Sequence, residues 1–466
     1  MATRKCDLSL KNFYIFNSLI SHKEGEENKK VLFYYPATDD EIKIRDIGLT
    51  EAIIKFTGTF NAESKALHTQ KTTQLFFQPE NDFWMVLTLN VPYEVRTKEG
   101  AEITDHRGKD VTDKVFRAVL RQSYLMFKLF AGTFAMNFVG ETEDEKADTL
   151  RKKLDLFYSK YLLTLKLPSC DIIDVVRSIQ YLPVKKNLFL RIHNFINMMQ
   201  ATFPTIEHCV FLYNDQLIWS GINSSDLYSV HEYLVGSLFP KAFESEIQGG
   251  PIRRSYSIDC GHYGTFLTGP ENFDDSIKAP KIYITQNEEL KCFYLIVYRA
   301  LNGTLCILID GKSLINDEFY LELHSYMGPQ LSSIASEIGE TFSKGSNSIS
   351  NKDLNEEDAG PKYLFINELN LRHKGSFNFN QKNRGMTTIP RNVMSLIADL
   401  YNENEFESNG KFEEICFKSI SDYWIVKKTS NWRQFYVIIH NNKATLLDIT
   451  NEAKKLFEQH TSDFFF

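Results

Sequence analysis

The chain has 466 residues, too many for one compact core and enough for about three domains of roughly 100 to 200 residues each. Its 60 acidic residues outnumber 53 basic ones, a formal net charge of −7, so no global positive field invites nucleic acid. The seven cysteines are odd in number, scattered and without a Cys-x-x-Cys pair, which argues against a disulfide scaffold or zinc site and for reduced thiols in the cytosol.

The N-terminus, Met1 to Cys6, is polar and basic and lacks the apolar core of a secretory signal. Leu8 to Ile20 reads as an apolar strand, followed by the charged loop Ser21 to Lys30 and a hairpin return through Val31 to Tyr35, stopped by Pro36. Thr38-Asp-Asp-Glu41 has the spacing of a helix capping box, and the helix it predicts runs to about Phe60. Wound at 3.6 residues per turn, that helix puts Leu49, Ala52, Ile53, Phe56 and Phe60 on one face, expected to lie on the sheet. The opposite side collects Ile44, Ile47 and Ile54 beside Glu51, Lys55 and Gly58. A second apolar stripe that its own sheet leaves uncovered is expected to dock to a partner. The polar loop His68-Thr-Gln-Lys71 is a further candidate contact. Phe83 to Asn90 reads as a buried strand, and amphipathic helices over Val111–Phe134 and Lys146–Leu165 complete a first domain, residues 1–167.

A second domain, residues 168–342, begins near Pro168. A helix at Phe189–Met199 leads into strands Cys209–Tyr213 and Gln216–Ser220, joined by the turn Asn214-Asp215. Asp226 is expected to cap a helix running through Leu238 and ended by Pro240. Gln248 to Asp275, rich in Gly and Pro and including Gly264-Thr-Phe-Leu-Thr-Gly-Pro270, is expected to be loop. Strands return at Lys281–Thr285, Lys291–Arg299 and Thr304–Asp310, before a helix at Asp317–Phe342. Cys292 to Ile309 is long and apolar, yet Arg299, Asn302 and Gly303 divide it into two strands and a turn, so no membrane span is expected.

Ser343 to Pro361 has almost no apolar residues and the composition of a flexible linker. Beyond it, in a third domain of residues 362–466, strands are expected at Tyr363–Leu371, Phe412–Ile420, Asp422–Lys428, Phe435–His440 and Ala444–Asp448, with helices at Arg391–Asn402 and Glu452–Gln459. Each domain has an aromatic-rich strand: Phe83-Trp-Met-Val86, Phe293-Tyr-Leu-Ile-Val297 and Tyr423-Trp-Ile-Val426. The pattern is that of one α/β (α+β) domain type used three times, with Trp84, Trp219 and Trp424 expected in the cores.

Catalytic signatures are missing. Ile309-Asp-Gly-Lys-Ser313 imitates a phosphate loop, but Cys306 occupies the position where that motif requires its first glycine. His231-Glu232 lacks a second histidine at zinc-ligand spacing and is expected to be a helix surface pair. No Gly-x-Ser-x-Gly elbow occurs, so no catalytic residue, metal or cofactor is assigned.

The strings Ile44-Arg-Asp-Ile-Gly-Leu-Thr-Glu-Ala-Ile-Ile-Lys-Phe-Thr-Gly-Thr-Phe60, Leu67-His-Thr-Gln-Lys71, Glu80-Asn-Asp-Phe-Trp-Met-Val86, Phe211-Leu-Tyr-Asn-Asp-Gln-Leu-Ile-Trp-Ser-Gly221, His262-Tyr-Gly-Thr-Phe-Leu-Thr-Gly-Pro270 and Ser421-Asp-Tyr-Trp-Ile-Val426 come in an order and spacing that resembles the vacuolar fusion protein Ccz family, in a form similar to animal members. The resemblance spans nearly the whole chain. It implies three longin domains, each an antiparallel five-stranded sheet flanked by helices. It also implies an obligate heterodimer with a Mon subunit, the pair being the guanine nucleotide exchange factor for the late-endosomal and vacuolar Rab GTPase in endosome maturation and autophagosome fusion. The first longin domains of both subunits would form the Rab platform, with a third regulatory subunit as an option in animals. Such a complex is cytoplasmic and peripherally recruited to late endosome, lysosome or vacuole membranes. Exchange proceeds by binding and makes no covalent bond, which agrees with the missing catalytic signatures. The helix argument, not the family, supplies Ile44, Ile47, Ile54 and Gly58 as candidates for Mon pairing and Glu51, Lys55, His68 and Lys71 as candidates for the Rab-facing rim. The competing class is a scaffold or vesicle-tethering subunit without exchange activity.

Overall fold

The computed structural model describes residues 3–20, 26–60, 65–98, 101–108, 111–170, 172–242, 263–268, 279–313, 315–346, 361–376, 389–401 and 413–460. The chain forms two compact units, Met1–Val175 with Met394–Asp399, and Val176–Val393 with Leu400–Phe466.

In the first unit the strands β1 (Thr3–Cys6), β2 (Ser9–Asn17) and β3 (Val31–Tyr35) precede helix α1 (Asp40–Gly58). Strands β4 (Ala66–His68), β5 (Thr72–Glu80), β6 (Phe83–Asn90), β7 (Tyr93–Lys98) and β8 (Ala101–His106) follow, then helices α2 (Asp113–Ala131), α3 (Phe134–Asn137) and α4 (Glu143–Thr164). The main sheet has the order β3-β2-β6-β5-β4, with antiparallel pairs throughout. Strand β2 shows why both faces must be covered. Phe13 and Ile15 point into a core with Phe116, Val119 and Phe127 of α2 and Leu150, Leu154 and Tyr158 of α4. Tyr14 and Phe16, one residue out of phase, point the other way and meet Ile47 of α1. A small sheet, β1-β7-β8, stands beside the main one. The capping box expected at Thr38 does not form: Asp39 holds the N-cap position of α1 without a side-chain bond. A box does form at α4, where Thr142 Oγ1 accepts from Glu145 N at 3.2 Å and Glu145 Oε2 from Thr142 N at 3.4 Å.

The second unit holds two sheets. Strands β10 (Ile206–Tyr213), β11 (Gln216–Ser220), β12 (Thr265–Thr268), β13 (Lys281–Gln286), β14 (Glu289–Ala300) and β15 (Gly303–Asp310) form one in the order β11-β10-β15-β14-β12, with β13 also on β14. One more strand than expected is present. Strand β12 lies inside the stretch expected to be loop; the remainder of that stretch, residues 248–262 and 269–275, is outside the described residues. Gly264 permits the approach of β12, because a Cβ there would sit 2.5 Å from the carbonyl oxygen of Arg299. Thr268 then bonds the β14 backbone with its hydroxyl, accepting from Val297 N and donating to Leu295 O, each at 2.8 Å. Helix α5 (Ile172–Val176) ends the first unit, and helices α6 (Lys186–Thr202), α7 (Ser224–Tyr233) and α8 (Asp317–Ser346) accompany the strands of the second. Asp226 does not cap α7, since its carboxylate accepts from the β13 backbone at Thr285 N, 2.9 Å away. Pro240 does not end the helical path, which continues to residue 242 after a π turn at Leu234–Leu238 widens the backbone ahead of the proline ring.

The other sheet follows the order β18-β19-β20-β16-β17-β9, from β9 (Ile179–Gln180), β16 (Lys362–Asn367), β17 (Arg372–Gly375), β18 (Glu413–Lys418), β19 (Tyr423–Ser430) and β20 (Arg433–His440). Helix α10 (Leu446–His460) follows β20, and helix α9 (Arg391–Leu400) contributes Met394–Asp399 to the first unit. The single strand expected at Tyr363–Leu371 is a hairpin, because Leu371 adopts a φ of 50° and turns the chain back on itself. Ala444–Asp448 is no strand. Asp448 Oδ2 accepts from Thr445 N at 3.0 Å while Thr445 Oγ1 accepts from Asp448 N at 3.3 Å, so these residues open α10 instead. Of the expected linker, Ser343–Ser346 belong to α8 and residues 347–360 lie outside the described residues. Trp84, Trp219 and Trp424 pack at the margins of the cores, half-buried.

Residues 179–182 join the two sheets. Strand β9 runs parallel to β17, with Ile179 N donating to Leu371 O at 2.8 Å and Tyr181 N to His373 O at 3.0 Å, and Leu182 N then donates to Leu217 O of β11 at 2.9 Å. Two histidines are buried at this junction. His231 is no surface residue: its Nε2 lies 2.7 Å from the carbonyl oxygen of Asp215 in the β10–β11 turn. His373 Nδ1 lies 2.8 Å from Ser178 Oγ. Burial lowers the pKa of both, and for His373, with His231 nearby, to about 4. The folded imidazoles therefore stay neutral where an unfolded one, near 6.5, takes up a proton. Stability of this unit is expected to be fully present above about pH 6.5 and to fall as pH drops toward 4. Thermal unfolding from pH 7 downward reads this, and His373→Gln should flatten the slope.

Candidate partner-docking surface

Helix α1 is seated on its sheet by polar groups. The hydroxyls of Tyr14 and Thr50 are 2.7 Å apart, and Gln74 Nε2 donates to Tyr14 Oη at 2.6 Å and to Thr50 Oγ1 at 3.3 Å. One turn earlier, Asp46 Oδ2 accepts from Tyr34 Oη at 2.7 Å and from Asn12 Nδ2 at 3.0 Å. Tyr14 and Thr50 are fully buried, and the Tyr14 and Tyr34 rings stack with centroids 5.3 Å apart. Burial raises the pKa of both tyrosines, and the Asp46 carboxylate adds to the effect, so both remain hydroxyl donors.

These bonds select which side of α1 faces inward, and the choice is the reverse of the expected one. Ile47 is 3% exposed and packs with Tyr14, Phe16, Phe76 and Val86, flanked by half-buried Ile53 and Ile54. Ile47 and Ile54 therefore belong to the domain's own sheet face and are no outer stripe. Ile44 is half-buried and Gly58 exposed. Of the five residues expected on the sheet, Ile53 packs there and the other four point outward: Leu49 is 53%, Phe56 66% and Phe60 69% exposed, with Ala52 open between them. Phe56 and Phe60 meet edge to face at 5.3 Å, forming an aromatic knob at the C-terminal end of α1. The signal that would have found this face was Asp46 and Thr50, polar residues on the Ile47 stripe, whose side chains meet Tyr34, Asn12, Tyr14 and Gln74 of the sheet.

The rim candidates fall into two groups. Lys55 and Lys71 are exposed. Glu51 is largely covered and paired with Lys30 at 2.9 Å, with Lys55 4.0 Å away. His68 ends β4, and its Nε2 lies 2.9 Å from Asp113 Oδ2, so its ring is oriented toward α2. At Gly311-Lys-Ser313 the backbone donors are already engaged: Gly311 N with Cys292 O, Lys312 N with Asp310 Oδ1 and Ser313 N with Asp310 O, each at 2.9 Å. A phosphate would find no cradle of N–H groups there. Among the described residues, no group of three or more His, Cys, Asp or Glu is placed to hold a metal ion, and no helix is long and apolar enough to cross a membrane.

Largely antiparallel sheets with flanking helices, repeated three times, define a protein of three longin-like domains. Family models match each in turn: the first longin domain of INTU, CCZ1 and HPS4 at residues 10–132, Intu longin-like domain 2 at 206–328 and Intu longin-like domain 3 at 357–456. The chain is 37% identical to a vacuolar fusion protein CCZ1 homolog of Xenopus laevis, over 98% of this chain and 97% of that protein. It is 38% identical to the homolog of Nematostella vectensis over the full length of both, and 25% identical to that of Dictyostelium discoideum over 96% of each. The chain belongs to the CCZ1 family of vacuolar fusion proteins.

Ile47→Asp is expected to unfold the first unit, because it places a charge against Tyr14 and Phe76. Phe56→Asp should leave the unfolding midpoint within about 0.5 kcal/mol of wild type. Tyr14→Phe, which strips Thr50 and Gln74 of a buried partner, should cost about 1–3 kcal/mol in chemical denaturation. Lys312→Ala should leave nucleotide binding, measured by calorimetry, unchanged.

Proposed function

We propose that this chain is the Ccz-type subunit of a Mon–Ccz guanine nucleotide exchange factor for a late-endosomal or vacuolar Rab GTPase, acting in endosome and autophagosome fusion with the lysosome or vacuole. Family membership supports the class. The observation that carries the assignment of the surface is the outward face of α1, where Leu49, Phe56 and Phe60 stand exposed on a helix already saturated by its own sheet. In this reading Leu49, Ala52, Phe56 and Phe60, with Ile44 and Gly58 at the margins, pair with the Mon subunit, in place of Ile47 and Ile54. Lys55 and Lys71 stand on the exposed rim toward the Rab; Glu51 and His68 act indirectly, through Lys30 and Asp113.

Exchange by such a platform needs no nucleophile, base or cofactor. The complex binds the nucleotide-free Rab more tightly than the loaded form, and the difference in affinity shifts the Rab toward release. Recruitment would be peripheral, from the cytoplasm.

The test is release of labelled nucleotide from the Rab, with and without this chain beside its Mon partner. A phenylalanine or leucine side chain contributes about 1.5–3 kcal/mol when fully buried. Leu49→Asp combined with Phe56→Asp should therefore weaken co-purification with Mon by more than roughly tenfold. Lys55→Glu combined with Lys71→Glu should slow exchange several-fold while leaving the heterodimer intact, because rim charges act on encounter more than on assembly. A heterodimer that forms normally yet never accelerates release would identify a scaffold instead.

A further inference from the structure

Helix α9 comes from the sequence of the third domain, yet its residues Met394–Asp399 fold with the first unit. The last carbonyls of a helix lack intrahelical partners and carry the negative end of its dipole, and α9 has no lysine or arginine in its last turn to answer them. The answer comes from α2. Lys114 Nζ donates to Asp399 O at 3.0 Å and to Ala398 O at 3.3 Å, from 285 and 284 residues away in sequence. Lys114 stands in the first turn of α2, where the positive end of that helix's own dipole disfavours a cation. Directed onto the C-terminal end of α9, the same ammonium is stabilised. Ile397 and Ala398 are buried, so this end of the helix is covered as well as bonded.

The residue before Lys114 reaches elsewhere. Asp113 Oδ2 lies 2.9 Å from His68 Nε2, and the other ring nitrogen of His68 lies 3.3 Å from Thr73 Oγ1. His68 thereby clips the β4–β5 turn to α2. Within the turn, Thr69 N donates to Thr72 O at 2.8 Å and Thr72 N to Thr69 Oγ1 at 2.9 Å, which ties its two ends together. Lys71 is exposed on this turn, and its carbonyl accepts from Val91 N at 2.9 Å. Adjacent residues of α2 therefore hold α9 with one side chain and the turn bearing Lys71 with the next.

We propose that α9 is a positioning element for the Rab-facing rim and that Lys114 is the residue through which it acts. The inference rests on the exchange reading above, in which Lys71 stands toward the Rab. Helix α9 seats the N-terminal turn of α2, that turn sets Asp113, and Asp113 sets the angle at which His68 holds the turn that presents Lys71. A segment of the third domain's sequence is then part of the platform, and the first domain without it is incomplete.

The test uses the full chain in its Mon heterodimer, with amide deuterium uptake reading the clasp and release of labelled nucleotide reading its effect. Lys114→Glu should speed uptake at Met394–Asp399 and at Thr69–Thr72 several-fold. It should also raise KM for the Rab several-fold, with kcat and heterodimer yield unchanged. Lys114→Arg, which keeps the charge and the donor, should restore wild-type behaviour in each measurement. Asp113→Ala should loosen Thr69–Thr72 and raise KM while α9 stays protected. Unchanged thermal unfolding establishes that the variants are folded. Protection of α9 that survives Lys114→Glu overturns the clasp, and a loosened α9 with no change at Thr69–Thr72 or in KM overturns the positioning role. A wild-type complex that never accelerates release overturns the exchange reading and the role at the Rab with it, whereas deuterium uptake still decides the clasp.

Discussion

The bonds that Tyr14, Thr50 and Gln74 make beneath α1, with Asp46, Tyr34 and Asn12 one turn away, set the orientation on which the first unit depends. The helix has apolar side chains on both sides, so hydrophobic burial alone discriminates weakly between two seatings. A buried hydroxyl or carboxylate without a partner is costly, and the sheet supplies Tyr14 and Gln74 to Thr50 and Tyr34 and Asn12 to Asp46. Rotating α1 to bury Leu49 and Phe56 would expose Ile47 and strip Tyr14, Gln74, Tyr34 and Asn12 of their partners on the helix. The polar minority therefore decides what the apolar majority presents to the outside.

From that orientation the rest of the unit follows. The central strands of the main sheet bury both faces, so β2 and β6 read as nearly continuous apolar runs. The exposed side of α1 is apolar and ends in the aromatic pair Phe56 and Phe60.

The second unit is organised by backbone rather than by side-chain polarity. Residues 179–182 donate to Leu371 and His373 on one sheet and to Leu217 on the other. Ser178, His231 and His373 are buried beside this short run. Because the same four residues complete both sheets, loosening either one exposes ladder groups of the other.

The sequence by itself determined the class of the protein. Three recurrences of strands and helices, the aromatic strands, and motif strings in family order were legible because alternation and 3.6-residue periodicity are local properties of the chain. The absence of a phosphate loop at Gly311 could also be read directly, from Cys306. Features that depend on partners distant in sequence were not legible. The inward side of α1 is chosen by Tyr14 and Gln74, 36 and 24 residues from Thr50; strand β12 is tied to β14 through Thr268, 29 residues from Val297; and His231 is buried by a turn 16 residues away. Local patterns specify which surfaces are apolar, whereas the tertiary structure decides which are covered, because burial of a polar group is settled only when its hydrogen-bonding partner arrives.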